Sequence, residues 1–178
     1  TPKSAAPLDL TGYWVSVVTA DWRFRMMTPL KGDYESLPLT AEAIKIADLW
    51  DPAKPVPPGD ECKPYGAANL MRMPGRLHIT WESDSILRIE TDNGSQTRLL
   101  HFGGQPPAGQ QPQWQGYSAA KWEGTGPRAL TGALEVKTTH MRPGMLRKNG
   151  VPYSGNAVIT EYFIRTDETN GNSWLALQ

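Results

Sequence analysis

The sequence predicts a mainly β fold, an antiparallel β-barrel with a long helix-containing insertion after its first strand. The 178 residues include 17 glycines and 16 prolines, which favour strands separated by many turns over a helical bundle. Short β-branched and aromatic runs recur from Arg76 onward and alternate with polar residues. Between the first run and Arg76, residues 20–75 show no strand pattern, and we interpret them as an insertion or lid.

Length and charge limit the domain organisation and the class of partner. A chain of this length predicts a single barrel domain over residues 10–178, with residues 1–9 as a disordered or extended N-terminal segment. The formal net charge is zero, whereas nucleic-acid-binding domains normally carry a basic excess, so we expect no nucleic-acid partner. No apolar run is long enough to predict a membrane span.

The N-terminal residues and the single cysteine bear on location. The small, proline-rich Thr1–Pro7 is typical of a mature N-terminus after signal cleavage, which predicts a periplasmic or secreted protein; a cloning boundary is the alternative. Cys62 is either a free thiol, buried or incidental, or has a partner outside this chain. Its neighbours lack metal-ligand spacing, and His78, His101 and His140 are widely separated and lack local carboxylate spacing, so the sequence predicts no metal site. We also expect no cofactor.

The first third of the chain predicts one strand and one helix. Leu10–Thr19 contains a β-branched and aromatic run and predicts the first strand, whereas Asp21–Pro38 is predicted to be irregular. Thr40 is placed to cap a helix whose apolar residues fall at helical spacing, and Asp51-Pro52 is predicted to end it. Five prolines between residues 52 and 64 exclude regular structure there.

The remainder of the chain predicts the barrel wall. From Arg76, Leu77, Ile79 and Trp81 alternate with His78, Thr80 and Glu82, which places two sets of side chains on opposite faces. Asn93-Gly94 predicts a two-residue hairpin, and Gly103–Pro112 predicts an exposed loop. Further strands are predicted at Ile86–Thr91, Gln96–Phe102, Trp114–Trp122, Leu130–His140, Ala157–Arg165 and Trp174–Leu177. The last predicted strand would be an exposed edge of the sheet. We therefore expect either that self-association or a partner chain completes this strand, or that the chain is truncated.

Two sets of motifs resemble known families. Gly12-Tyr13-Trp14 resembles the Gly-x-Trp pattern at the head of the first strand in lipocalins, whose long first connection folds over the barrel mouth. The succession Cys62-Lys63-Pro64-Tyr65-Gly66, Trp114-Gln115-Gly116-Tyr117-Ser118 and Lys121-Trp122-Glu123-Gly124 resembles a group of exported, largely uncharacterised bacterial lipocalin-like proteins. Tyr117 stands where that group commonly has Asp. The resemblance implies a lipocalin-like (calycin-type) barrel and supplies no activity.

Basic and aromatic residues predict a ligand pocket. In an extended Asp21–Arg25 segment, Trp22 and Phe24 would face one way and Arg23 and Arg25 the other, which suits either an anion-binding edge or a solvated face. Large aromatic side chains supply either core packing or pocket lining. The candidate ligand-binding residues are Trp22, Arg23, Arg25, Trp81, Arg98, Trp122 and His140.

Three residues are candidates for catalysis: His101, Glu161 and Tyr162. Distant strands converge in a closed barrel, so these side chains are placed to meet. Glu161 shares a strand face with Phe163, and a buried carboxylate needs a partner, for which Arg98 is the candidate. Such a pair serves either as a structural ion pair or as a general acid/base. No nucleophile motif or phosphate-binding loop accompanies them.

The sequence therefore leaves three functional hypotheses. The first is an exported small-molecule-binding protein whose aromatic and basic pocket holds a partly apolar ligand with an acidic group. The second is an enzyme of isomerase or lyase type in the same barrel, for which fold analogy alone is no evidence. The third is a structural subunit of an exported assembly.

Overall fold

The computed structural model describes residues 1–124 and 132–178, and it confirms the mainly β, barrel-like fold. The strands are β1 Gly12–Val15, β2 Arg76–Ser83, β3 Ile86–Thr91, β4 Thr97–Phe102, β5 Tyr117–Glu123, β6 Ala133–Thr139, β7 Gly144–Met145, β8 Pro152–Tyr153, β9 Ile159–Asp167 and β10 Ser173–Leu177. Eight of them form one sheet that curls into a nearly closed barrel, in the order β1-β2-β3-β4-β5-β6-β9-β10, and β7 and β8 form a separate two-stranded sheet. The helices are α1 Trp22–Met26, α2 Ala41–Asp48 and α3 Ala67–Leu70, with 3-10 turns at Lys63–Tyr65 and Asn93–Ser95.

The core lies inside the barrel, where every second residue of each strand points inward. We call the end at which β1 begins the lower end and the end at which β1 finishes the upper end. Midway between them, the fully buried side chains are apolar: Ile79, Ile89, Leu100, Val136 and Phe163. This alternation matches the pattern from which the strands were predicted.

One strand pair departs from antiparallel pairing. β4 and β5 are parallel, with Leu100 opposite Ser118 and Phe102 opposite Ala120. The other pairs of the large sheet are antiparallel. Residues 103–116 make this parallel connection possible, because two parallel strands need a crossover of a dozen or more residues.

The N-terminal residues lie across the lower end of the barrel. The indole Nε1 of Trp122 donates to the carbonyl of Pro2 at 2.9 Å, and the backbone N–H of Lys3 donates to Asp84 at 3.1 Å. Leu8 packs against the core and Leu10 is buried. At the same end, the ring of Phe102 contacts the rings of both Trp81 and Trp122.

The insertion covers the upper end together with the loop that carries β7 and β8. Within the insertion, α2 confirms the predicted helix: the Thr40 hydroxyl accepts from the N–H of Ala43 at 3.2 Å, and the helix ends at Asp48. The α3 helix is joined to the connection between β4 and β5, since the N–H of Ala67 donates to the carbonyl of Trp114 at 3.0 Å.

Two local predictions are wrong. The Asp21–Arg25 segment is neither extended nor irregular, because α1 begins at Trp22 and the N–H groups of Phe24 and Arg25 donate to the carbonyl of Asp21. The β3–β4 connection is longer than a two-residue hairpin: the N–H of Thr91 donates to Gln96, and a 3-10 turn with Gly94 at φ 61° lies between them.

The predicted strand positions otherwise agree with the structure to within a few residues at their ends. The first strand is shorter than Leu10–Thr19, because Ser16 is the last residue hydrogen bonded to the β2 side, through Gly75. Of the predicted strand Leu130–His140, the described part forms β6, while Leu130 lies outside the described residues.

Candidate functional site

An open cleft separates the two edges of the barrel sheet. It has a volume of about 1040 Å³ and lies between β1 on one side and β9 and β10 on the other. Helix α3, Arg25 and residues 19–21 border its upper end. We call it the seam cleft, because it occupies the line along which the barrel fails to close.

The walls of the seam cleft are largely apolar. Phe163, Leu175 and Leu177 face it from β9 and β10, and Trp14 and Leu77 face it from β1 and β2. On the outer side of β1, Tyr13 and Val15 are 78% and 73% exposed. Exposed apolar side chains scattered singly need no explanation, but here they line a concave surface, which is typical of a binding site.

A buried ion pair lies at the inner wall near the upper end, where Glu161 lines the cleft and Arg98 lies behind it. The guanidinium of Arg98, on β4, donates to both carboxylate oxygens of Glu161, on β9, with a distance of 3.1 Å from Nη1 to Oε1. Nε of Arg98 donates to the Ser118 hydroxyl at 3.1 Å, and Nη2 donates to the Thr138 hydroxyl at 2.7 Å. Arg98 is 1% exposed, so these partners replace the water that its charge has lost.

Two arginines border the upper end of the seam cleft. Nε of Arg25 donates to the carbonyl of Arg72 at 2.7 Å, and Arg72 pairs with Asp21 at 3.1 Å. Burial, and secondarily the charge of Arg72, lower the pKa of Arg25. The charge of nearby Asp21 opposes this shift, but Arg25 forms no salt bridge with any carboxylate among the described residues, so its guanidinium can still pair with an anion in the cleft.

At the lower end, Arg165 crosses the seam. It extends from β9 to donate to the carbonyl of Asp9, and its guanidinium carbon lies 5.7 Å from the centre of the Trp14 ring. It also pairs with Asp167 at 2.8 Å and donates to Ser173 at 3.1 Å. The seam is therefore bridged at its lower end and open above.

The structure separates the predicted pocket residues of the Asp21–Arg25 segment. Trp22 is 63% exposed on α1. Arg23 points away from the seam cleft and pairs with Asp33 and Glu35. Arg25 is the residue of this segment that combines a position in the cleft with a positive charge.

The remaining predicted ligand-binding residues lie in three places. Arg98 is in the buried ion pair. Trp81 and Trp122 pack with Phe102 at the lower end, where they belong to the core rather than to the seam cleft. His140 follows β6 with φ 55°, and its Nδ1 lies 2.9 Å from the Thr139 hydroxyl.

The three candidate catalytic side chains do not converge. His101 and Tyr162 each neighbour an inward-pointing residue and therefore face outward, whereas Glu161 faces inward. The His101 ring stacks on Tyr117 at 4.7 Å, and burial lowers the pKa of His101 while Glu82 opposes that shift. The Tyr162 hydroxyl lies 3.5 Å from Glu135.

No protein family, curated protein or solved structure matches this chain. The site must therefore be interpreted from its own geometry.

Within residues 1–124 and 132–178, no group of three or more His, Cys, Asp or Glu side chains is placed to hold a metal ion. In the same part of the chain, no helix has the length and apolar character needed to cross a membrane.

Sequence reasoning missed several residues of the seam cleft. Strand alternation was the available signal for Arg165, which shares its face with Glu161 and Phe163. No local pattern marks Arg72, because its position depends on how the insertion folds back onto β1. Trp14 belongs to the predicted first strand and to the Gly12-Tyr13-Trp14 motif, but neither pattern predicts that it lines a cleft; its indole donates to the carbonyl of Leu10 at 2.9 Å.

Proposed function

We propose that this protein binds an elongated, partly apolar ligand carrying an acidic group, and that the seam cleft holds it. The observation that carries the proposal is the combination of an open apolar cleft with a half-buried arginine that forms no salt bridge with a carboxylate among the described residues. At about 1040 Å³, the cleft is comparable with the upper end of ordinary ligand sites, which reach about 1,000 Å³.

The shape of the cleft favours an elongated ligand. Its walls are strands that run along its length, and Phe163, Leu175 and Leu177 offer a continuous apolar surface on one side. Burying apolar ligand surface there contributes about 25 cal/mol per Å². The lower end is bridged by Arg165, so the ligand enters from the side or from above.

The charges favour an acidic group at the upper end. Asp21 and Glu161 are the carboxylates that line the cleft, and each is already paired with an arginine, Arg72 and Arg98 respectively. Both oxygens of Glu161 are engaged by Arg98, which gives no support to a role as general base. A ligand carboxylate beside Arg25 would gain a charge-assisted hydrogen bond.

Calorimetric titration with dodecanoate and dodecanol tests this function. We expect dodecanoate to bind about tenfold more tightly, because a hydrogen bond to a charged group contributes roughly 1.5 kcal/mol or more. Arg25→Gln should remove that preference. Arg23→Gln is the matched control: Arg23 lies two residues away and outside the cleft, so this variant should behave like the wild type.

Two outcomes would reject the proposed function. One is the absence of measurable binding of either probe by the folded protein. The other is an equal loss of dodecanoate affinity in Arg23→Gln and Arg25→Gln, which would indicate surface charge rather than the seam cleft as the binding determinant.

A further inference from the structure

The two edges of the barrel sheet run in the same direction. Seven strand pairs connect β1 to β10, and six of them are antiparallel, so the chain direction reverses six times between the edges. An even number of reversals leaves β1 and β10 parallel to each other. A single strand lying between them with the opposite direction would therefore be antiparallel to both.

Backbone groups on both edges point into the seam cleft. The N–H of Ser16 donates to Gly75 at 3.0 Å, which turns the backbone of Ser16 toward β2. Because hydrogen-bonded and non-hydrogen-bonded positions alternate in antiparallel pairs, the N–H and C=O groups of Tyr13 and Val15 point the other way, toward the cleft.

The same alternation applies on the opposite edge. Gln178 and Tyr162 exchange both backbone hydrogen bonds, at 3.0 and 3.1 Å. Leu175 and Leu177 therefore direct their backbone N–H and C=O groups away from β9 and into the cleft. An alkyl ligand covers the apolar walls but satisfies none of these backbone groups, whereas an extended polypeptide carries N–H and C=O groups on both sides that can pair with the two edges.

We propose that the ligand of the seam cleft is an extended segment of another polypeptide, which adds one strand antiparallel to both β1 and β10. This inference rests on the proposed function, because it names the class of ligand for the same cleft. A folded second copy of this chain does not fit the requirement, since each of its edge strands already uses one side of its backbone. The inserted strand needs both sides free.

Strand direction also fixes where the acidic residue of the segment lies. β1 ends at the upper end, so an antiparallel strand begins there, next to Arg25 and Arg72. Its last residues reach the lower end, where Arg165 is already paired with Asp167. The acidic side chain therefore belongs near the N-terminal end of the segment, and apolar residues alternate after it to face Phe163 and Leu175.

Two synthetic heptapeptides of identical composition test the direction. The first is acetyl-Glu-Val-Thr-Val-Thr-Val-Thr-amide, and the second is acetyl-Thr-Val-Thr-Val-Thr-Val-Glu-amide. We expect the first to bind about tenfold more tightly, as one charge-assisted hydrogen bond predicts, and Arg25→Gln to abolish the difference. Equal affinities for the wild-type protein would overturn the proposed orientation and with it the antiparallel strand.

N-methylated peptides test whether both edges are used. One version of the first peptide carries N-methyl groups on every valine, and the other carries them on every threonine. A strand paired on both sides loses hydrogen bonds in either case, so both versions should fail to bind. If one version binds as well as the parent peptide, only one edge is engaged and the proposal is wrong.

Hydrogen exchange and protein variants locate the strand. Binding should slow amide exchange at Tyr13, Val15, Leu175 and Leu177. Val15→Pro removes a donor that faces the cleft, and proline is tolerated at such an edge position, so this variant should remain folded yet lose the peptide. Val15→Thr keeps the N–H group and is the control. Unchanged exchange at these amides, or their protection by dimerisation without peptide as seen by light scattering, would overturn the proposal.

The dodecanoate titration separates the two proposals. Binding of dodecanoate through Arg25 without binding of the first heptapeptide would leave the proposed function standing and reject the polypeptide ligand. If neither probe binds the folded protein, both proposals fail. Competition between the two probes would support both.

Discussion

At the scale of single residues, the Arg98–Glu161 pair dominates the interior of the barrel. Its charges lie on β4 and β9, and the hydroxyls of Ser118 and Thr138 complete its hydrogen bonds. The two hydroxyls are also 2.8 Å from each other, so four strands meet in one polar network. Because taking charges out of water costs several kcal/mol per ion, we expect the pair to contribute little net stability, and we propose that its role is to align these strands.

Replacing one partner should therefore cost more than replacing both. We expect Glu161→Gln to lower the free energy of unfolding by about 3–5 kcal/mol, because it leaves Arg98 buried without its counter-charge. The double variant Arg98→Met/Glu161→Leu should lose less. Urea unfolding measures both, and Glu123→Gln, at an exposed pair with Lys121, is the control. A loss in Glu161→Gln no larger than in the control would contradict this account.

His101 should make stability depend on pH. Burial against Tyr117 lowers its pKa in the folded protein, so the unfolded chain binds a proton more readily. Its stabilising contribution is complete above the unfolded pKa of about 6.5 and is lost as the pH falls through the folded pKa. The free energy of unfolding should thus rise as the pH increases from below the folded pKa to the unfolded pKa of about 6.5, and His101→Gln should flatten the rise. Identical slopes for the two proteins would contradict the prediction.

At the scale of elements, the cap of α2 is a local and testable contribution. Thr40 accepts a hydrogen bond from Ala43, and without it an N–H of the first turn loses its partner. We expect Thr40→Ala to lower the free energy of unfolding by about 1 kcal/mol, and Thr40→Ser to restore it. Thermal unfolding distinguishes the two variants, and equal destabilisation by both would indicate that the methyl group rather than the hydroxyl matters.

The elements that sequence predicts well are those whose signal is local. Strand alternation located β2, β3 and β4, and a capping residue with helical spacing located α2. The α1 helix is five residues long and lacks a side-chain cap, so its residues carry no helical period that could be recognised. The parallel pairing of β4 with β5 depends on strands that are distant in sequence, and no local pattern reports it.

For the candidate site, too, the sequence predicts the features that depend on local strand alternation and not those that depend on the path of the chain. Inward alternation on β9 correctly indicated that Glu161 needs a buried partner, and Arg98 is that partner. The positions of Arg25 and Arg72 depend on the path of the insertion, and the seam cleft exists because β1 and β10 do not meet. No spacing of residues in the sequence predicts the positions of these arginines or the gap between β1 and β10. His101 was expected to approach Glu161, but strand parity places it on the other face.

At the scale of the whole molecule, the insertion and the loop carrying β7 and β8 are joined by long-range contacts. Nη1 of Arg147 donates to the carbonyl of Glu35 at 2.9 Å, and the buried Asn149 amide donates to the carbonyls of Leu30 and Asp33 at 3.0 Å each. These bonds connect parts of the chain more than a hundred residues apart. The upper end of the barrel is thus covered by one structure built from two segments.

Substitution of Gly150 tests the contact between the insertion and the loop that carries β7 and β8. It has a φ of 90°, and an added Cβ would lie 2.3 Å from Cβ of Trp50, so no other residue fits without displacing the insertion. We expect Gly150→Ala to cost more than about 1 kcal/mol and to speed amide exchange in α2, while exchange in β3 stays close to that of the wild type. Gly109→Ala, at a position of similar φ with open space around it, isolates the effect of backbone conformation. Equal effects of the two substitutions would rule out the contact with Trp50 as the cause.

The parallel β4–β5 pairing divides the sheet into an N-terminal half, β1 to β4, and a C-terminal half formed by β5, β6, β9 and β10. Within each half, every strand has an antiparallel neighbour from the same half. A protein cleaved in the exposed loop at residues 103–112 would thus consist of two fragments, each with its own hairpins. Co-expressed, they should reassemble through Arg98 and its partners, which makes the loop a natural point for a split reporter.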